Sequence, residues 1–196
     1  MSLVFKKVYY VLLIASKTDS PVEYKMAHKR RGKALIFNHE NFQYLNKRRG
    51  TNKDRDNLRE RFQDLGFEMN PHNDKSKKEV LEEIRKAATA NHEDADCFVC
   101  IFLTHGEEGQ IYAKDDKIKI KEITDYFRGD QCKSLVGKPK IFIFQACAGE
   151  KHEDAVTSMM TKGSDDEEAD QIYTIPEGAD FLMCYSVAEG RYEKKD

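Results

Sequence analysis

Asp-Cys-Phe-Val-Cys-Ile-Phe-Leu-Thr at residues 96–104 is the stretch of this chain that most clearly predicts a β-strand. Its side chains are apolar at consecutive positions rather than at alternate ones, so both faces of the strand must be covered. That pattern is typical of the centre of a parallel sheet. Further apolar strands are predicted over residues 34–38, 140–144 and 181–185, and Pro139 opens the second of these.

Two amphipathic helices are predicted between the first strands. Thr51 is interpreted as a helix N-cap with Asp54 three residues on, and Gly66 as the C′ residue that ends this helix. Ser76 and Glu79 form a capping box for the second helix. The apolar faces recur at helical spacing, with Leu58, Phe62 and Leu65 in the first helix and Val80, Leu81, Ile84, Ala87 and Ala88 in the second.

Shorter elements complete the pattern. A strand is predicted over residues 67–70 with Pro71 beginning the next loop, and a β-hairpin over 109–120 precedes a short helix over 121–127. Strands that alternate with amphipathic helices indicate βαβ units. The predicted fold class is therefore α/β, a three-layer α/β/α sandwich around a mostly parallel sheet.

The charge balance limits the kinds of partner that are expected. The 196 residues are 39% hydrophobic and 35% charged, with a net charge of −2. This balance gives no reason to expect a nucleic-acid partner, and the basic run at residues 28–33 is interpreted as a solvated segment. The apolar run at residues 8–15 is far shorter than the roughly 20 residues that span a bilayer, so no membrane partner is expected.

The cysteines favour a reducing compartment. Their number is odd and they are scattered through apolar runs, unlike a disulfide framework, so a cytoplasmic location is predicted. Cys97 and Cys100 have C-x-x-C spacing, but they share one buried strand and no second pair has ligand spacing. We interpret both as structural thiols, and no metal ion or other cofactor is predicted.

A histidine and a cysteine follow two of the predicted strands. His105 comes after the strand at 97–103, and Cys147 lies in Gln-Ala-Cys-Ala-Gly at 145–149, after the strand at 140–144. The carboxyl ends of parallel strands share one edge of a sheet, so neighbouring strands would bring this pair together. An imidazole beside a thiol activates it as a nucleophile. A lone cysteine at a strand end is more often a buried thiol, and only the pairing favours catalysis.

Small residues accompany both positions. Ala146, Ala148 and Gly149 would let a substrate carbonyl approach the sulfur, and Gly106 can present its N–H without a side chain in the way. Two such N–H donors would stabilise the oxyanion of a tetrahedral intermediate.

Several segments resemble the caspase family, most of all its executioner members. They are Lys-Ala-Leu-Ile-Phe-Asn-His at 33–39, Arg-Arg-Gly-Thr at 48–51, Leu-Thr-His-Gly-Glu-Glu-Gly at 103–109, Phe-Ile-Phe-Gln-Ala-Cys at 142–147, Tyr-Thr-Ile-Pro at 173–176, Ala-Asp-Phe-Leu at 179–182 and Tyr-Ser at 185–186. The resemblance runs in family order from about Tyr24 to Tyr192. Its cysteine motif and upstream histidine are highly specific.

The resemblance implies a protease that cleaves peptide bonds after aspartate and acts in apoptosis. Cys147 would be the nucleophile, and His105 would protonate the leaving amine. The N–H groups of Gly106 and Cys147 would form the oxyanion hole. Arg48 and Gln145 match family positions that hold the substrate aspartate, which suits the bidentate pairing of a guanidinium with a carboxylate.

The resemblance also implies a division of the chain. The expected parts are an N-terminal extension at 1–23, a large-subunit-like domain at 24–150, an acidic inter-subunit linker at 151–175 and the start of a small subunit at 176–196. Partners implied are protein substrates with a cleavable aspartate, and a second caspase chain in a homodimer or heterodimer.

The acidic linker matches the segment that is cut during maturation. The preferred cut follows Asp170, ahead of Asp165 and Asp166. Lys195 falls where a second aspartate-binding arginine is expected, and it keeps the charge but lacks the planar fork. The family's last strand and helices, including the strand through which members dimerise, are expected to be missing from this chain.

A further departure is Ala148, where the family signature has Arg, Gln or Gly. Two functions therefore stay open. One is an active aspartate-directed cysteine endopeptidase. The alternative is a weak or inactive decoy that regulates a related caspase by binding it.

Overall fold

A computed structural model describes residues 24–107, 109–148, 173–174 and 180–186. The helices are α1 (Thr51–Asp64), α2 (Lys77–Ala88) and α3 (Ile120–Asp125), with a 3-10 turn at Lys133–Leu135. The strands are β1 (Arg30–Asn38), β2 (Glu68–Asn73), β3 (Ala95–Glu107), β4 (Gln110–Tyr112), β5 (Lys117–Lys119), β6 (Lys140–Ala148), β7 (Tyr173–Thr174) and β8 (Phe181–Ser186).

The strands form one mostly parallel sheet, which confirms the predicted fold class. The spatial order is β2-β1-β3-β6-β8-β7, and every neighbouring pair from β2 to β8 is parallel. Strand β7 runs antiparallel to β8, and the β4–β5 hairpin pairs with the end of β3. The apolar strand β3 therefore lies in the interior of the sheet, as its sequence predicts.

Both faces of β3 are buried, and each is covered by helices. Phe98, Cys100 and Phe102 lie in one core cluster with residues of α2 and α3. Val99, Ile101 and Leu103 lie in a second cluster with Leu58 and Phe62 of α1. The sheet is thus the middle layer of an α/β/α sandwich.

A row of rings crosses five parallel strands at one register position. His72, Phe37, Phe102, Phe144 and Tyr185 are successive partners across β2, β1, β3, β6 and β8. Neighbouring ring centroids in this row lie 4.9, 4.9, 5.3 and 5.4 Å apart, all in stacked orientation. Stacked aromatic pairs contribute about 0.5–1.5 kcal/mol each beyond their burial. The row favours this register over a slipped one.

Most local predictions are confirmed. The Ser76 hydroxyl accepts from the Glu79 N–H, and the Glu79 carboxylate accepts from the Ser76 N–H, so the capping box of α2 is complete. Gly66 follows the end of α1 with φ of +84°, as the C′ role requires. The hairpin and the helix after it also lie where they are predicted.

The start of α1 corrects one prediction. Gly50, not Thr51, is the N-cap, and because glycine has no side chain the helix begins without a side-chain capping bond. Thr51 is the first helical residue, and its hydroxyl donates to Asn38 instead of capping the helix. Leu65, predicted on the apolar face of α1, is 39% exposed because the helix has already ended.

Two further segments differ from their predictions. Pro71 does not begin a loop but lies inside β2, which is at the edge of the sheet, where a residue without an N–H is tolerated. The basic run at 28–33 is not simply solvated. Arg30 belongs to β1 and donates from Nε to Asp94 at 3.0 Å, and Arg31 pairs with the buried Asp96 at 3.0 Å.

Candidate functional site

The predicted pair lies on adjacent central strands. His105 on β3 is the register partner of Cys147 on β6, and Gly106 is the partner of Ala148. Strands β3 and β6 both continue past the ends that the sequence predicts. His105 and Cys147 therefore lie within the last hydrogen-bonded residues of these strands and not after them. The condition on which the sequence prediction depends, that the two strands are neighbours, is confirmed.

His105 is held by a loop that follows β1. Its Nε2 lies 2.8 Å from the Asn46 backbone oxygen, and the Phe42 ring packs on the imidazole at 4.7 Å between centroids. A carbonyl oxygen only accepts, so Nε2 must carry a hydrogen. In the neutral ring, Nδ1 is then the basic nitrogen. The loop therefore sets both the tautomer and the orientation of His105.

Backbone and carboxylate contacts tie this loop, residues 39–50, to the sheet. The His39 N–H donates to the Leu103 carbonyl of β3 at 2.9 Å. The Asp74 carboxylate accepts from the N–H groups of Glu40 and Asn41, at 2.7 and 2.9 Å. Asp74 is thus an anchor of the loop that orients His105. Backbone carbonyls such as that of Asn46 have no side-chain signature, so the sequence did not indicate these contacts.

Arg48 lies in the same loop. Its Nη1 donates to the Thr51 hydroxyl at 2.9 Å and to the His39 carbonyl at 3.3 Å. Its own N–H donates to the Glu40 carbonyl at 2.9 Å. The guanidinium is therefore held near the carboxyl end of β1, on the loop that also contacts His105.

Gln145 lies on β6 between Leu103 of β3 and Ser186 of β8. Its Oε1 is buried and has no hydrogen-bond partner among the described residues. Buried amides are normally satisfied, so this atom is out of the ordinary for a core position. An unsatisfied amide at a strand end fits a site that is completed by a polar ligand.

Gly106 is required by close packing as well as by any function. A Cβ at this position would lie 2.6 Å from the Ala146 Cβ and 3.2 Å from the Gln110 carbonyl oxygen. From the sequence, a glycine here is expected only to leave its N–H unobstructed by a side chain. The structure adds a steric reason for it.

The cysteines whose side chains the structure describes are structural. Cys97, Cys100, Cys132 and Cys184 are free thiols. Burial raises the pKa of Cys97 and of Cys184 to about 11, and that of Cys100 well above its ordinary value. Such thiols are poor nucleophiles at neutral pH. The interpretation of Cys97 and Cys100 as buried thiols is confirmed.

The predicted cleavage sites and one predicted substrate contact fall in parts of the chain that the structure does not describe. Asp165, Asp166, Asp170 and Lys195 lie outside the described residues. Within the described ranges, no cluster of three or more His, Cys, Asp or Glu side chains could hold a metal ion. No helix there is long and apolar enough to cross a membrane.

A histidine and a cysteine side by side at the carboxyl ends of two central parallel strands are the arrangement of an α/β cysteine peptidase. The Caspase domain family matches residues 31–194. Caspase-6 of Mus musculus is 53% identical over 189 residues, which cover 91% of this chain and 68% of that protein. Caspase drICE of Drosophila melanogaster is 44% identical over 172 residues, covering 87% of this chain and 51% of its own length.

A solved structure agrees with these relatives. The structure of pro-sf-caspase-1 matches with a TM-score of 0.71 and 39% identity, covering 88% of this chain and 68% of that chain. The chain belongs to the caspase family, and it is a cysteine-type endopeptidase of the apoptotic type. The matches give no support to the decoy alternative.

Proposed function

We propose that this protein cleaves peptide bonds on the carboxyl side of aspartate, with Cys147 as nucleophile and His105 as its acid–base partner. The observation that carries the proposal is the register pairing of these residues on β3 and β6. It places the two backbones at adjacent positions at one edge of the sheet. Family membership supports the same roles.

The chemistry follows from the hydrogen bonding of His105. With Nε2 donating to the Asn46 carbonyl, the proton that passes to the leaving amine is carried on Nδ1. The Cys147 thiolate adds to the scissile carbonyl, and the N–H groups of Gly106 and Cys147 stabilise the oxyanion. Each oxyanion donor is worth about 3–4 kcal/mol of barrier. Collapse of the tetrahedral intermediate breaks the C–N bond as the proton on His105 Nδ1 passes to the leaving amine, and water then hydrolyses the acyl-enzyme to free Cys147.

The substrate aspartate is assigned to Arg48 and Gln145. Arg48 offers a charge that pairs with a carboxylate, and Gln145 has the unsatisfied buried amide oxygen described above. Amide oxygen and nitrogen are interchangeable by rotation, so the same side chain can turn its NH2 toward a carboxylate. Lys195 is proposed as a further contact, by the resemblance alone.

The same proposal extends to maturation, assembly and location. Residues 24–150 and 176–196 act as large- and small-subunit parts, and cutting of the 151–175 linker at Asp170, with Asp165 and Asp166 as lesser sites, releases the mature form. The active unit pairs with a second caspase chain. A cytoplasmic location is proposed from the odd number of cysteines and their scatter through apolar runs.

The test is cleavage of fluorogenic tetrapeptides that differ only in their last residue, Asp, Asn or Glu. The wild-type chain is expected to cleave the Asp peptide, and Cys147→Ala to show no activity above the uncatalysed rate. Removal of any member of a nucleophile–base pair typically costs a factor of about 10⁴ or more. Wild-type activity no greater than that of Cys147→Ala contradicts the enzyme, and equal rates on Asp and Asn peptides contradict the specificity.

A further inference from the structure

We propose that Thr51 is a positioning residue for Arg48, and that Asn38 fixes the direction in which its hydroxyl acts. The inference rests on the proposed role of Arg48 in binding the substrate aspartate. Neither Thr51 nor Asn38 is expected to touch the substrate. They act by holding the guanidinium in one orientation before the substrate arrives.

The hydroxyl of Thr51 lies between two partners. It donates to Asn38 Oδ1 at 2.7 Å and accepts from Arg48 Nη1 at 2.9 Å. Thr51 is 3% exposed and Asn38 1% exposed, so water does not readily replace either contact. A hydroxyl has a single proton, so donating it to Asn38 leaves only lone pairs to face Arg48.

Other side chains set the donor-to-acceptor direction of this series of hydrogen bonds from Arg48 through Thr51 to Asn38. Arg55 can only donate, and its Nη1 donates to Asn52 Oδ1 at 3.1 Å and to Asn73 Oδ1 at 2.8 Å. Asn38 Nδ2 donates to the same two oxygens, at 2.8 and 3.2 Å. The Asn38 amide is therefore oriented with Oδ1 toward Thr51, which makes Thr51 an acceptor for Arg48.

The arrangement lowers the cost of binding a carboxylate. An arginine side chain loses rotamer freedom when it is fixed on a ligand, and fixing it beforehand removes part of that loss from binding. The Thr51 hydroxyl is uncharged, so its bond to Arg48 adds no negative charge of its own beside the guanidinium. A carboxylate at position 51 would pair with Arg48 and compete with the substrate.

The experiment compares Thr51→Val, which has the same shape without the hydroxyl, with Thr51→Ser, which keeps the hydroxyl. Thr51→Val is expected to raise KM for the Asp peptide about tenfold, the size of one lost bond to a charged group. Its kcat is expected to change less than about threefold, and Thr51→Ser to restore KM to within about threefold of wild type. Thr124→Val, on α3, is the matched control because, among the described residues, its hydroxyl bonds to the Lys121 carbonyl of its own helix and to no side chain.

A cycle with Arg48→Ala separates positioning from general damage. If Thr51 acts through Arg48, Thr51→Val has no further effect on KM in the Arg48→Ala background. Two results overturn the proposal. One is that Thr51→Val raises KM by the same factor with and without Arg48. The other is that Thr51→Ser has the same KM as Thr51→Val. Thermal midpoints of all variants are measured, and Thr51→Ala replaces Thr51→Val if the latter does not fold.

Failure of the proposed function gives a different result. The rate of Cys147 alkylation by iodoacetamide, which carries no aspartate, is expected to be equal in wild type and Thr51→Val. If wild type does not prefer Asp over Asn peptides, the role of Arg48 is wrong. If wild type prefers Asp and Thr51→Val leaves KM unchanged, only the positioning role is wrong.

Discussion

Gly106 serves two requirements at one position. Its proposed catalytic role needs an unobstructed N–H, whereas the packing of β3 against β6 needs the absence of a Cβ. A Cβ 2.6 Å from that of Ala146 is far inside van der Waals contact, and backbone on neighbouring strands cannot shift freely. The second requirement can be tested without any substrate.

Gly106→Ala is expected to lower the free energy of unfolding by about 1–3 kcal/mol, the usual cost of overpacking. Adding Ala146→Gly removes the facing methyl and is expected to recover part of the loss, although the Gln110 carbonyl at 3.2 Å remains close. Urea denaturation of the two single variants and the double variant measures the coupling. A double variant whose loss equals the sum of the two single losses contradicts the contact.

Helix α2 depends on a charged cap. The Glu79 carboxylate accepts from the Ser76 N–H at 2.9 Å, from the Ser76 hydroxyl at 2.8 Å and from Lys75 Nζ at 3.2 Å. These bonds, that to the Ser76 N–H first, lower the pKa of Glu79 from 4.5 to about 2. Because the folded-state pKa is the lower one, the unfolded chain binds the proton more readily, and protonation favours unfolding.

The stabilisation by the Glu79 charge is therefore complete above about pH 4.5 and is lost as the pH falls toward 2. Glu79→Gln has no charge to titrate, so its deficit relative to wild type is expected to shrink over that range. Urea unfolding of both proteins at pH 7, 4.5 and 3 measures the difference. A deficit that stays constant over these pH values contradicts the role of the charge. Glu60→Gln on the exposed side of α1 is the control.

The attachment of β8 concerns the whole molecule, because β8 follows the proposed linker. Asp180 accepts from Gly137 N–H at 3.1 Å and from the Tyr24 hydroxyl at 3.0 Å, and lies 3.6 Å from Lys140 Nζ. Lys140 is 1% exposed, and burial lowers its pKa while Asp180 opposes that shift. One carboxylate thus connects the described N-terminal segment, the start of β6 and the start of β8.

Asp180→Asn keeps a side chain that tolerates its positive φ of 72° but leaves Lys140 without its carboxylate. It is expected to cost about 1–3 kcal/mol of unfolding free energy, the penalty for a buried group that loses its charged partner. Adding Lys140→Met to Asp180→Asn removes the charge that has lost its carboxylate, so the double variant is expected to recover part of the lost stability. Urea denaturation checks both. No recovery in the double variant means that the Lys140 charge is not what Asp180 neutralises.

Local chemistry explains which elements were predictable. The capping box at Ser76 and Glu79, the C′ glycine at Gly66 and the apolar run of β3 depend on residues a few positions apart, so their patterns are visible in the chain itself. The prediction that Pro71 begins a loop is wrong because a proline is tolerated within β2, and that tolerance depends on β2 being an edge strand. The N-cap prediction for Thr51 is wrong because the partner of its hydroxyl, Asn38, lies on a strand 13 positions earlier and not in the helix.

The sequence by itself determined the fold class, the family and the candidate pair His105 and Cys147, because strand patterns and strand-end motifs are local. Only the tertiary structure decided that the pair is in register, that Asn46 orients His105, and that Thr51 and Asn38 hold Arg48. These contacts join residues far apart in the chain, through backbone atoms or through side chains whose types are common everywhere. The physical reason is that hydrogen bonds depend on distance and direction, which exist only once β1, β3 and β6 lie side by side.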